Sequence, residues 1–249
     1  MYQEIRPPCR VLFTGRSTMG KTTLAVTVIL ECIMPHMRRC FAACPTFYDQ
    51  SALEPLRAIP GAFPERNVFT DVTDGTFEYI YQRILRHDKP TLLFVDDAAA
   101  EKATNRGNKG SFSRLCLCSM HHNLTIIGVF QRITSASPSL RDNVEGLVSF
   151  IPTKDNDGDT ICHEFNPCPA RLHSRKLVMQ MLDYAWRHAR FCFIWREKFS
   201  GQTRFYSGFQ QQLLLNATDR SQITELHRLP NVHSGEELSE EAENQDDYL

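Results

Sequence analysis

The sequence predicts an α/β fold: a mostly parallel central sheet flanked by helices, followed by a C-terminal β-hairpin. Three stretches point to it. Gly15-Arg16-Ser17-Thr18-Met19-Gly20-Lys21-Thr22-Thr23 fits the pattern of Gly, four residues, Gly-Lys and then Ser or Thr, with a strand pattern before it and a helical one after it. Pro90 to Asp97 is a short apolar run that ends in two carboxylates, and Leu124 to Phe130 is another, ending at Gln131. Short apolar runs separated by helical stretches read as strands covered on both faces of a parallel sheet.

Cys9 to Phe13 is the first strand. Gly15 and Gly20 then let the backbone turn its amides inward onto a phosphate, and the start of the following helix adds favourable partial charge. In such a loop Lys21 is expected to reach the β- and γ-phosphates of a nucleotide, and the Thr22 hydroxyl to coordinate Mg²⁺. Leu24 to Met34 is apolar on nearly every side, and this helix should stop at Pro35. Arg39 to Ala43 reads as the second strand. Phe47 to Phe63, holding Pro55, Pro60 and Gly61, reads as an irregular connection, and Asn67 to Val72 as a short strand. Asp74-Gly75 breaks it, and Thr76 to Arg86 is an amphipathic helix with Phe77, Ile80 and Ile84 inward.

Ligands of open α/β sheets bind at the carboxyl ends of the strands. Asp96 is therefore expected to hold Mg²⁺ through water, and Asp97 to polarise an attacking water. Alone, this stretch would read as a strand and a solvated acidic turn; the upstream phosphate loop gives the pair a purpose. Ala98 to Gly110, with Lys102, Arg106 and Lys109, reads either as a loop facing a polyanion or as a solvated one. Ser111 to Met120 is a short helix, Pro138 to Asn143 a turn or short helix, Val144 to Ile151 a strand, and Lys154 to Asp159 a charged turn around Gly158. Cys168 to Arg190 is the longest helical stretch, with Leu172, Leu177, Met181, Leu182 and Trp186 inward. Phe191 to Trp195, the Ser200-Gly201 turn and Arg204 to Tyr206 make the hairpin.

At 249 residues, with 42% apolar and 23% charged, the chain suits one large globular domain, taken as residues 1–231. Residues 232–249 form an acidic tail expected to be disordered. After Arg228 there is no Lys or Arg, so the body carries 28 basic residues against 22 acidic ones. No apolar run approaches a membrane span, and Met1 to Pro8 has no signal-peptide core. The nine scattered cysteines are expected to be reduced thiols of a cytosolic or nuclear protein. Cys162, His163, Cys168 and His173 match no paired metal-ligand spacing and read as core thiols and surface histidines rather than a zinc site.

These residues together resemble the viral DNA-packaging ATPases of the FtsK–HerA superfamily, above all the poxvirus-like and giant-virus-like branch. The resemblance is carried by Gly15 to Thr22, by Phe94-Val95-Asp96-Asp97, by His121 to Gln131 and by Leu140-Arg141-Asp142-Asn143. Many ATPases share the first two motifs; the last two narrow it. The resemblance implies a P-loop NTPase of the RecA/ASCE-like kind, with the Gln131 strand between the phosphate-loop strand and the Asp96 strand and Gln131 sensing the γ-phosphate. It implies ATP and Mg²⁺ as cofactors and a homo-oligomeric ring, pentamer or hexamer, acting on double-stranded DNA with capsid proteins as partners. The setting would be virion assembly in the host cytoplasm or nucleus, or the virion itself. One position departs: where that family often has an Arg before the leading His, this chain has Met120. Arg141 is the first choice for a trans-acting catalytic arginine and Arg114 the second; a surface or phosphate-contacting role fits either as well. The alternative reading is a P-loop small-molecule (nucleoside-type) kinase, which would need an acceptor pocket and an Arg-rich lid. A GTPase is disfavoured, because Asn108-Lys109 is followed by Gly110-Ser111 and lacks the guanine-reading Asp.

Overall fold

The structure is a computed structural model, and it describes residues 4–86, 89–97, 110–152, 154–165, 175–197, 200–215 and 223–228. In chain order the elements are β1 (Arg10–Thr14), α1 (Lys21–Val28), β2 (Arg39–Ala43), α2 (Glu54–Arg57), β3 (Val68–Phe69), α3 (Asp74–Leu85), β4 (Thr91–Asp96), α4 (Ser111–Cys118), β5 (Leu124–Phe130) and α5 (Pro138–Asn143). Then follow β6 (Gly146–Phe150), α6 (Asp155–Glu164), α7 (Arg175–Ala189), β7 (Phe191–Arg196), β8 (Thr203–Ser207), β9 (Gln211–Leu215) and β10 (Ile223–Arg228). Among the described residues the strands form one 10-stranded sheet, in the order β10-β9-β8-β7-β6-β1-β5-β4-β2-β3. From β6 to β3 every pairing is parallel. From β6 to β10 every pairing is antiparallel, so the expected hairpin of β7 and β8 is extended by β9 and β10 into the same sheet. The resemblance put the Gln131 strand between the loop strand and the acidic strand, and β5 lies there, between β1 and β4.

The central strands are apolar throughout because both faces of the sheet are covered. Successive side chains alternate between two cores. Leu12, Leu93, Val95 and Ile126 face the layer that holds Phe77, Ile80 and Ile84 of α3, Phe112 and Leu115 of α4, and Leu182 of α7. Val11, Phe13, Leu92, Phe94 and Ile127 face Ala25, Val26 and Val28 of α1 and the connection around Leu53 and Leu56. Burial of such residues at about 25 cal/mol per Å² is the main force holding the layers together. A buried ion pair fixes the sheet's starting edge. Arg10 donates its backbone N–H to Glu145 Oε2 at 2.7 Å, its Nη2 to Glu145 Oε1 at 2.6 Å and its Nη1 to the Cys116 carbonyl at 3.1 Å.

Four local expectations change. The first helix does not stop before Pro35. It widens through a π-helical turn, Ile29–Ile33, and tightens into a 3₁₀ turn, Met34–His36. The Met34 amide reaches five residues back to Ile29, and Pro35 then sits at the start of the tight turn, where its missing N–H costs nothing. The helix expected from Thr76, α3, begins at Asp74 instead, because Thr73 caps it in a capping box with Thr76. The strand expected over Asn67 to Val72 shrinks to Val68–Phe69; Asn67 is buried and gives its Nδ2 to the Cys40 carbonyl at 3.0 Å. Lys154 to Asp159 is no turn but the start of α6, whose apolar side (Ile161, Cys162) is buried with Phe165. Gly158 within it costs about 1 kcal/mol against Ala. A Cβ there would lie 3.2 Å from Met179 Sδ, so the glycine lets α6 and α7 close on each other. In α7, Met181 and Leu182 are buried as expected, with Val178 and Ala185, while Leu177 and Trp186 are only partly covered. Leu172, Cys168, His173, the Ala98–Lys109 loop and the acidic tail lie outside the described residues.

Candidate nucleotide site

The site is built at the carboxyl edge of the parallel strands. β1 ends at Thr14, and Gly15 follows with φ 136°. Its path is set by the neighbouring strand: a Cβ at Gly15 would lie 2.6 Å from Phe150 Cβ, and the Arg16 amide bonds the Ile151 carbonyl at 3.2 Å. Arg16, Ser17 and Thr18 are exposed, and Thr18 has a left-handed backbone with φ 64°. Arg16 Nε donates to the Pro152 carbonyl at 2.9 Å. Met19 packs partly on the core below, which anchors the loop's far side. Gly20, with φ 85°, turns the chain into α1. That helix start carries no side-chain cap, so its first amides stay available to an anion.

Lys21 is 8% exposed and folds back across the loop, its Nζ donating to the Arg16 carbonyl at 2.7 Å. Burial lowers its pKa, partly offset by the charges of Asp96 and Asp97. Thr22 Oγ1 donates to Asp96 Oδ2 at 2.9 Å, while Thr23 is exposed one residue further along the helix. Asp96 is 1% exposed at the tip of β4. Its Oδ1 accepts the Asp97 amide at 2.8 Å. Burial, and then the charge of Asp97, push the Asp96 carboxyl up to about 7. Asp97 is exposed and holds φ 53°, a left-handed backbone that Asp tolerates better than most residues. Thr46 Oγ1 faces its Oδ2 at 3.5 Å.

The donor set fits Mg²⁺. It is oxygen-only, which suits a hard cation, and two adjoining carboxylates at a buried edge call for positive charge beyond the one ammonium of Lys21. Thr22 and Asp96 are the residues that would hold the ion. Among the described residues no cluster of three or more His, Cys, Asp or Glu forms a protein-only metal cage. Mg²⁺ usually keeps several waters and phosphate oxygens instead.

Gln131 follows Phe130, which pairs with Thr14, so it stands exposed at the same edge, next to the start of the loop. Arg141 is not brought there. A catalytic arginine of the same chain would be needed at this edge, but α5 carries the chain back to the start of β6, and β6 is parallel to β1. The residues just before β6 therefore lie at the opposite edge, about 16 Å away at ~3.3 Å per strand residue. Arg141 is 15% exposed and ion-paired with Glu164 at 2.9 Å. Arg114, the second choice, pairs with Glu78 and lies over the Tyr81 ring. Two groups at the edge were not foreseen. Thr46 follows the end of β2, where a polar residue just past a strand tip was the available signal. Arg132 follows Gln131 and faces Asp157 Oδ2 at 3.5 Å, a pairing visible only once α6 is known to be a helix.

A strand–loop–helix unit whose Thr22 touches a carboxylate on another parallel strand defines the phosphate-loop NTPase fold. No family model matches the chain, and no curated protein sequence matches it. Solved structures share its architecture. The genome packaging NTPase B204 of Sulfolobus turreted icosahedral virus 2, in complex with AMP, superposes with a TM-score of 0.58 at 14% identity, over 81% of this chain and 98% of that one. The DNA-packaging ATPase B204 of Sulfolobus turreted icosahedral virus gives 0.58 at 15% identity over the same shares. The ATP-gammaS complex of the former gives 0.56 at 14% identity. At these identities the likeness is one of fold.

Proposed function

We propose that this chain is an ATP-hydrolysing motor that moves viral double-stranded DNA into a capsid. The observation that carries the reading is β5, inserted between the loop strand and the acidic strand, which brings Gln131 to the edge that already holds Lys21, Thr22, Asp96 and Asp97. The fold shared with B204, a genome packaging NTPase, over nearly all of that chain supports it.

Catalysis in such a site is positioning and electrostatics. The amides of Gly15 to Gly20 and the start of α1 cradle the phosphates of ATP, and Lys21 exchanges its Arg16 carbonyl for phosphate oxygen. Mg²⁺, when bound, neutralises charge on those phosphates. Asp97 is exposed at the strand tip with Thr46 facing it, and it orients and deprotonates the attacking water. Gln131 senses the γ-phosphate from the next strand. Arg141 enters only as a group offered to a neighbouring subunit in a ring, pentameric or hexameric; its own chain holds it against Glu164. Capsid proteins and a place at virion assembly in the host cell belong to the same proposal. The kinase alternative lacks comparable support: the solved structures that share this fold over most of both chains are genome packaging NTPases.

Translocation tests the proposal. The full chain with ATP and Mg²⁺ should displace a third strand from a triplex on duplex DNA, and Asp97→Asn should not. Hydrolysis without displacement at any DNA length would overturn the motor reading.

A further inference from the structure

At the edge of the sheet opposite the nucleotide site lies a cavity of about 470 Å³ with a cationic wall. Arg38, Arg66, Arg83 and Lys89 line it, with Arg39 at the start of β2, and Met37, Ile59 and Pro64 form an apolar floor. Among the described residues no carboxylate lines it (Asp88, beside Lys89, lies outside them). The arginines are crowded. Arg39 donates to the Arg83 carbonyl at 2.8 Å and to the Thr91 hydroxyl at 3.0 Å. Burial, and then the charge of Arg83, lower its pKa. Arg83 Nε is buried without a hydrogen-bond partner, and its guanidinium leans over the Tyr79 ring at 5.9 Å. Arg38, Arg66 and Lys89 are exposed at the mouth. Like charges gathered in a concave, partly desolvated wall repel one another, and an anion that enters relieves that repulsion. Guanidinium forks match phosphate oxygens in geometry as well as charge.

We propose that this cavity is a second phosphate-binding site, separate from the phosphate loop, for a phosphate group carried either by a free phosphorylated small molecule or by the backbone of DNA. No chemical step is needed there; the site holds an anion. The inference does not depend on the motor reading, since it rests on the cavity alone.

The test uses the full chain carrying Lys21→Ala, so that the phosphate loop does not compete, with and without Arg66→Glu and Lys89→Glu. Both added changes are at exposed positions, and an unchanged melting temperature confirms the fold. Pyrophosphate titrated by calorimetry should bind the Lys21→Ala chain and lose about tenfold or more in affinity with the charge reversals. A short duplex is the second probe. A parallel loss of duplex affinity, with a salt slope shallower by about one per contact removed, assigns the phosphate to DNA. Lost pyrophosphate binding with unchanged duplex binding assigns it to a small molecule. Equal affinity for both probes in both chains, or no pyrophosphate binding to the Lys21→Ala chain, overturns the proposal.

Discussion

At the residue scale, Lys21, Thr22 and Asp96 of the candidate site are each held by a neighbour. Lys21→Ala removes the charge that spans the loop and should abolish nucleotide binding while leaving the melting temperature within about 1 kcal/mol of the parent in stability terms, since only one hydrogen bond is lost. Fluorescent-nucleotide binding alongside thermal unfolding checks both halves. Asp97→Asn keeps the shape and should bind ATP without turning it over. Asp96 makes a pH prediction. Burial pushes its folded carboxyl up to about 7 from an ordinary value of 3.8, so between those values the folded chain holds a proton that the unfolded chain has lost. Without nucleotide or Mg²⁺, stability should therefore fall as pH rises from about 4 to about 7 and then level off. Asp96→Asn should remove that slope, and urea midpoints across this range would show it.

At the scale of elements, the strands and the helices they position are the legible part, and long-range pairings are not. β5 and α5 begin and end where the sequence places them, because an unbroken apolar run and a Ser-Pro start leave little choice. α6 was missed because its first turn holds only aspartates, an asparagine and a glycine, and only packing against α7 reveals why Gly158 belongs in a helix. The loop, the Asp96-Asp97 strand tip and the Gln131 edge were readable because each is a short local motif. Arg141 was misplaced because its position depends on the direction of β6, which no local motif states. Two changes probe these pairings. Gly15→Ala meets Phe150 Cβ at 2.6 Å and a backbone that disfavours any side chain, so the loop must distort. It should cost about 1–3 kcal/mol and weaken nucleotide binding with it. Glu145→Ala strands the buried Arg10 guanidinium and should cost about 3–5 kcal/mol in a denaturant titration, with no change in nucleotide affinity in the fraction that stays folded.

At the scale of the molecule, one sheet separates two edges of different character. The carboxyl edge gathers the phosphate loop, two carboxylates and Gln131; the opposite edge gathers arginines around a cavity. The acidic segment after Arg228 carries seven Asp and Glu residues and no Lys or Arg. Deleting residues 233–249 should leave the melting temperature unchanged, because that stretch offers few apolar side chains to a core. The deletion should also tighten DNA binding, most at low salt, where the tail's charge is least screened. The most direct measurement of the motor reading is the steady-state ATPase rate of the full chain with Mg²⁺, with and without duplex DNA. The result expected is a rate that rises on adding duplex and vanishes with Lys21→Ala. A rate indifferent to duplex, together with phosphate transferred from ATP to a nucleoside, would contradict it.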